Sequence, residues 1–232
     1  PDFRYSRCTG RKKALCIGID YTGQPDIELR GCVNDAKNMF NFLQENYGFH
    51  KKDMVLLRDD AHYSRDIPTK ENILNAMRWL VNDAQPNDSL FIHYSGHGEQ
   101  TRDLEGDEVD GLDEAILPLD HQKAGMIIDD LMNEMMVRPL PRGCRLTAVF
   151  DSCHSGSMLD LPFQYNSGGG LKPSQVTPGF RKARSTPADV VSFSGCKDTE
   201  TSAETCEEGL FVGAMSYVRA ISLLAQMGHN EA

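Results

Sequence analysis

The sequence predicts an α/β fold, a mainly parallel central sheet with helices on both faces. Three observations predict it. Five short apolar runs are nearly continuous, as strands covered on both faces are. Helical stripes lie between most of them. Two of the runs lead straight into glycine-bearing turns, the place where such sheets gather their chemistry. The length of 232 residues fits one large domain. A domain near this size buries about 70–75% of the surface its unfolded chain exposes.

The apolar runs are residues 14–19, 54–57, 90–94, 146–150 and 190–193. After the first, Val33, Ala36, Phe40, Leu43 and Tyr47 recur at helical spacing. Ile73, Ala76, Met77, Leu80 and Val81 form a second stripe, and Pro68-Thr69 before it supplies an N-cap. A third helix is expected to start at Asp129 or Asp130 and to stop by Pro139. Phe211, Ala214, Met215, Val218 and Ile221 suggest a fourth. Two segments lack such order. Residues 99–120 carry nine acidic residues and one basic one, Arg102. Residues 163–189 hold Gly168-Gly169-Gly170, three prolines and Lys172, Arg181, Lys182 and Arg184, and read as a flexible basic loop.

Composition excludes several classes. Lys plus Arg is 24 against 34 for Asp plus Glu, a net charge of −10, which is the wrong sign for a nucleic-acid footprint. It favours metal ions or basic peptides. No apolar run approaches the roughly 18 residues that cross a bilayer. The chain opens at Pro1 with no secretory signal, as expected of a processed or trimmed piece. Seven scattered cysteines without a CxxC pair point to reduced thiols, and so to the cytosol or nucleus. No Walker motif and no G-x-S-x-G elbow is present.

The run at 90–94 continues into Ser95-Gly96-His97-Gly98, and the run at 146–150 into Asp151-Ser152-Cys153-His154-Ser155-Gly156. If those strands are neighbours, an imidazole and a thiol face one another across a cleft. The thiolate is the reactive form of cysteine, and a nearby imidazole promotes it. The Gly98 and Cys153 N–H groups are candidate oxyanion donors. Each residue alone also has an ordinary reading, a packed cysteine or a turn histidine. His93 and His154 compete as base, but His93 lies inside a strand, and His154 is adjacent to Cys153, where side chains point apart. A zinc site of Cys153, His154 and His97 fails on the same adjacency.

Y-S-G-H-G (Tyr94 to Gly98) and D-S-C-H-S-G (Asp151 to Gly156) resemble the catalytic motifs of metacaspases, and the fungal-like single-chain type is the most similar. Lys12 to Tyr21, Leu29 to Ala36 and Asp113 to Asp120 resemble further family segments in the same order, so the likeness runs from about Cys8 to about Ser216. The resemblance implies a caspase-like (caspase-hemoglobinase) fold over residues 1–232, with a truncated C-terminus after Ser216. It implies a cysteine endopeptidase with His97 as base and Cys153 as nucleophile, acting through a thioester on protein or peptide substrates after Arg or Lys. It also implies a monomer, and Cys32, Asp35, Ser95 and Asp151 as the lining of the specificity pocket. Two carboxylates there suit a guanidinium or an ammonium.

The resemblance further implies activating Ca²⁺ on Asp113, Asp129, Asp130 and Asp160. Calcium takes six to eight oxygens, which four Asp residues with carbonyls and water supply. The acidic segment is no EF-hand: with Gly111 as sixth loop position, Gly106 stands where the first Asp belongs. Without the resemblance, the acids read as a solvated loop and a helix N-cap. Lys172, Arg181, Lys182 and Arg184 are candidate self-cleavage sites. The competing class is a catalytically weak calcium-binding scaffold of the same fold; the presence of both His97 and Cys153 favours the enzyme.

Overall fold

Near-continuous apolar runs suit strands covered on both faces, and all five runs are strands of one central sheet, with 190–193 half-buried at its edge. The computed structural model describes residues 3–106, 108–152, 158–165, 171–172, 176–180, 184–194, 204–207 and 210–213. In chain order the elements are β1 (Lys12–Gly18), α1 (Cys32–Tyr47), β2 (Met54–Arg58), α2 (Lys70–Val81), β3 (Ser89–Ser95), β4 (Gly98–Arg102) and β5 (Leu112–Ile116). Then follow α3 (His121–Ala124), β6 (Ile127–Ile128), α4 (Asp129–Met132), β7 (Arg145–Asp151), β8 (Gln164–Tyr165), β9 (Leu171–Lys172), β10 (Asp189–Ser194), β11 (Glu204–Glu207) and β12 (Leu210–Gly213).

The central sheet has the order β10-β7-β3-β1-β2, and every pairing in it is parallel. Side chains alternate between its faces, as the two-residue period of a strand requires. Ala14, Cys16, Phe91 and Val149 pack on one face with Ala36, Met39, Phe40 and Leu43 of α1. Leu15, Ile17, Ile92, Leu146 and Phe150 pack on the other with Ile73, Met77 and Leu80 of α2. Each Leu, Ile, Val, Phe or Met among them contributes about 1.5–3 kcal/mol on full burial. Thr69 caps α2, its hydroxyl accepting from the Asn72 N–H at 3.3 Å. The α4 helix runs on as a π turn over Asn133–Val137 and ends before Pro139, as its sequence predicts.

Two expectations are corrected. The acidic segment is not irregular: β4 and β5 form an antiparallel hairpin, with β6 paired on β5. Ala115, Ile116 and Leu117 are buried, which anchors the hairpin despite its charge. Its tip is closed by Asp103, whose carboxylate accepts N–H bonds from Glu105, Gly106 and Glu108 at 2.8, 2.7 and 3.0 Å. The second correction is Phe211, which lies in β12, paired antiparallel with β11, and not in a fourth helix. Phe211 and Val212 are side chains that favour a pleated strand. Ala214, Met215, Val218 and Ile221 lie outside the described residues. Within 163–189, β8 and β9 pair, and Val176 bridges to Glu108. Among the described residues no helix is long and apolar enough to cross a membrane.

One close approach joins this fold to the site. A Cβ on Gly18 would fall on the Cys32 carbonyl and lie 2.8 Å from the Ala36 Cβ, so only glycine lets the start of α1 rest on the end of β1. Gly18→Ala is therefore expected to cost about 2 kcal/mol, from overpacking against backbone that cannot turn aside. Urea unfolding measures it as a lower midpoint at unchanged slope; a midpoint equal to the parent's would show that this contact yields freely.

Candidate active site

Register decides what the strand ends bring together. Gly18 of β1 is paired with Ser95 of β3, and Ser95 with Asp151 of β7, so three parallel strands end level. His97 stands two residues past Ser95, and Cys153 two residues past Asp151 in the sequence. Cys153, like His154, lies outside the described residues. Gly98 opens β4, opposite Ile116. Among the other cysteines, burial pushes the Cys16 thiol far up and the Cys144 thiol up to about 12, so neither is a ready nucleophile.

His97 is held from several sides. Its Nε2 lies 2.7 Å from the Ile27 carbonyl. A carbonyl only accepts, so Nε2 carries the proton and Nδ1 is the basic atom. The His97 N–H donates to the Tyr21 hydroxyl at 3.0 Å, and its carbonyl accepts from the Tyr94 hydroxyl at 2.7 Å and the Leu117 N–H at 3.2 Å. The Tyr21 ring lies against the imidazole, centroids 4.9 Å apart. His93, by contrast, is fully buried inside β3, opposite Cys16 and Val149. Burial pushes its pKa down to about 4, against the pull of the Asp151 charge. It is a packed, neutral histidine at pH 7.

The four residues expected around a basic side chain converge. Cys32 and Asp35 sit in the first turn of α1, which Asp20 caps through the Val33 N–H at 3.3 Å. The Ser95 hydroxyl donates to Asp35 Oδ2 at 3.3 Å. Ser95 pairs with Asp151, and all four side chains are buried. Parity explains the meeting. Phe91 and Val149 face α1, so Ser95 and Asp151, an even number of residues further, do as well.

A second acidic group joins the β4–β5 hairpin, α4 and the segment after β7. Glu108, Asp129 and Asp160 are buried and bring carboxylate oxygens within 4.8 Å of one another. Asp129 and Asp160 were expected there; Glu108 was not, and both Asp113 and Asp130 fall outside the group, Asp130 being ion-paired with Arg184. Asp129 is fixed by the Glu114 and Asp130 N–H groups at 2.7 and 2.8 Å. Asp160 follows Leu159, whose carbonyl accepts from Asn133 Nδ2 at 2.7 Å. Burial, with the charges of Glu114, Asp113 and Glu108 behind it, pushes Asp129 up to about 9. Three buried carboxylates offering only oxygen fit a hard divalent cation such as calcium.

Arg184 also departs from expectation. Read as part of a flexible basic loop and as a candidate self-cleavage site, it is 6% exposed, ion-paired with Asp130 and 3.9 Å from Asp160. Lys172 lies in β9, while Arg181 and Lys182 lie outside the described residues. Sequence reasoning also missed Tyr21, Tyr94 and the Ile27 carbonyl. The glycine at 96 was the available signal: a Cβ there would meet the Tyr94 hydroxyl at 2.7 Å.

Comparison with known proteins gives the family. Residues 12–162 match the family described as metacaspase, peptidase C14 domain. The chain is 52% identical to Metacaspase-1 of Cryptococcus neoformans, with 94% of the chain aligned to 56% of that protein. It is 50% identical to Metacaspase-1 of Schizosaccharomyces pombe, with coverages of 93% and 60%. It is 51% identical to Metacaspase-1B of Aspergillus niger, with coverages of 93% and 58%. The chain thus spans somewhat over half the length of these relatives. A crystal structure of a Geobacter sulfurreducens protein shares the fold, with a TM-score of 0.61 and 23% identity over 92% of this chain and 83% of that one.

His93 gives a pH dependence. Its folded pKa of about 4 lies below the ordinary 6.5, so the unfolded chain binds the extra proton between those values. Stability from this group is complete above pH 6.5, is lost as pH falls from there toward about 4, and changes little below that. Between pH 7 and 4.5 the loss is expected to be about 2–3 kcal/mol, and to shrink by that amount in His93→Gln. Urea titrations at both pH values measure it; an equal loss in both proteins would contradict a neutral, buried His93.

Proposed function

Because the chain belongs to the metacaspase family of C14 peptidases, we propose that it is a calcium-dependent cysteine endopeptidase that cleaves after Arg or Lys. The observation that carries this reading is the level ending of β3 and β7, with His97 held in one tautomer beyond the first. The chain's own residues then have distinct tasks. The basic side chain of the substrate enters beside Asp35, Ser95 and Asp151, where buried carboxylates pair with it. His97 Nδ1 takes the thiol proton of Cys153, and the sulfur attacks the scissile carbonyl carbon. The Nε2–H bond to the Ile27 carbonyl holds the ring in one orientation while Nδ1 carries the proton. N–H groups of Gly98 and Cys153 receive the oxyanion. His97 returns the proton to the leaving amine, and a water activated by the same atom hydrolyses the thioester.

Calcium on Glu108, Asp129 and Asp160 would neutralise buried carboxylates and tie the segment after β7 to the β4–β5 hairpin and α4. The support is the donor set, oxygen only and buried. The reading includes self-cleavage in the basic segment, at Lys172, Arg181 or Lys182; Arg184 is buried in its ion pairs. The reaction is assigned to the cytosol or nucleus, where thiols stay reduced.

Peptides with Arg, Lys or Asp before the scissile bond, with calcium or a chelator, test the proposal. Turnover is expected after Arg and Lys, with calcium only. Cleavage after Asp, or equal rates under chelator, would contradict it. Cys153→Ala and His97→Ala should each remove at least about a thousandfold of kcat/KM. Asp35→Ala should raise KM for Arg and Lys substrates about tenfold or more, with kcat changed less. Unchanged preference would take Asp35 out of the pocket. Asp129→Asn should weaken calcium binding by about tenfold or more in calorimetry, and equal binding would exclude Asp129 as a ligand.

A further inference from the structure

We infer that Tyr21 is a positioning residue for the His97 imidazole, acting through a hydroxyl clamp that it shares with Tyr94. The inference rests on the peptidase reading given above. His97 follows Gly96, the residue with the widest backbone freedom, so its orientation must be fixed from outside the turn. Two phenols do this. The Tyr21 hydroxyl accepts from the His97 N–H at 3.0 Å and donates to the Leu117 carbonyl at 2.7 Å. The Tyr94 hydroxyl, 3.2 Å from that of Tyr21, donates to the His97 carbonyl at 2.7 Å. The backbone of one residue is thus gripped at both its N–H and its carbonyl, across two successive peptide groups.

Tyr21 does more than Tyr94. Its ring lies 4.9 Å from the imidazole, tilted by 43°. The Ile27 carbonyl that holds Nε2 belongs to the same loop, which is braced by Gln24 N–H to Tyr21 carbonyl and Ile27 N–H to Gln24 carbonyl bonds, each 3.0 Å. A shift of Tyr21 therefore moves both the clamp and the partner of Nε2. Its backbone has φ 53°, a region that bulky side chains rarely adopt, although the side chain is fully buried. The turn that sets the Tyr21 hydroxyl against the His97 N–H is built in that conformation. Burial pushes both phenols far above their ordinary values, so both remain donors at any working pH.

The test compares the parent chain with Tyr21→Phe, which keeps the ring and removes the hydroxyl. Kinetics are measured well below the melting temperature of each protein. The imidazole ¹⁵N spectrum of His97 is assigned by its loss in His97→Ala. Tyr21→Phe is expected to lower kcat about tenfold with KM within about twofold, and to turn one Nε2–H tautomer into a mixture. A folded Tyr21→Phe with the parent's kcat and spectrum overturns the inference. So does a fall in kcat without a change at the imidazole, which is the signature of a structural role. If the parent itself turns over no peptide, the peptidase reading fails, and the spectrum alone decides: a mixture in Tyr21→Phe supports the clamp, an unmoved signal overturns it. Should Tyr21→Phe not fold, Tyr94→Phe removes the carbonyl half and is read by the same two outcomes.

Discussion

Level strand ends are the constraint on which the rest depends. Gly18, Ser95 and Asp151 are partners across three parallel strands, so the segments that follow them leave the sheet at one height. A parallel strand advances about 3.3 Å per residue, and a slip of one residue also turns every side chain to the other face. The buried apolar side chains on both faces forbid that slip. Core packing thus sets the position of the Ser95–Asp35 hydrogen bond and of the turn that carries His97. The tyrosine hydroxyls then fix what glycine leaves free.

Two groups of buried acids differ in their chemistry. Asp35 and Asp151 lie beside hydroxyl and thiol neighbours on the α1 face, an arrangement suited to a guanidinium or ammonium arriving with a substrate. Glu108, Asp129 and Asp160 crowd their oxygens together, with backbone N–H groups already bound to Asp129. That second set suits a small hard ion. Arg184 reaches its edge through Asp130 and Asp160, so one internal guanidinium already offsets part of its charge.

The central sheet was legible because its strands are covered on both faces and read as unbroken apolar runs. Helix α2 was legible from its stripe and its Thr69 cap. His97, Cys32, Asp35, Ser95 and Asp151 stand out in the sequence because strand-end turns and segments resembling the family mark them. The β4–β5 hairpin was hidden because its apolar anchor is only Ala115, Ile116 and Leu117 amid carboxylates. Glu108 reaches the acidic group through that hairpin, a fold-level event with no local signal. Arg184 looked like a loop cation because its partners are distant in sequence. Tyr21 was inconspicuous for the same reason: its partner His97 is 76 residues away.

The central claim is that one imidazole activates one thiol at the level edge. Alkylation of Cys153 by iodoacetamide, followed by mass spectrometry across pH, tests it without a substrate. The account predicts rapid modification well below the ordinary thiol range near pH 8.5, and a return to that range in His97→Ala. The same profile with and without the imidazole would contradict it.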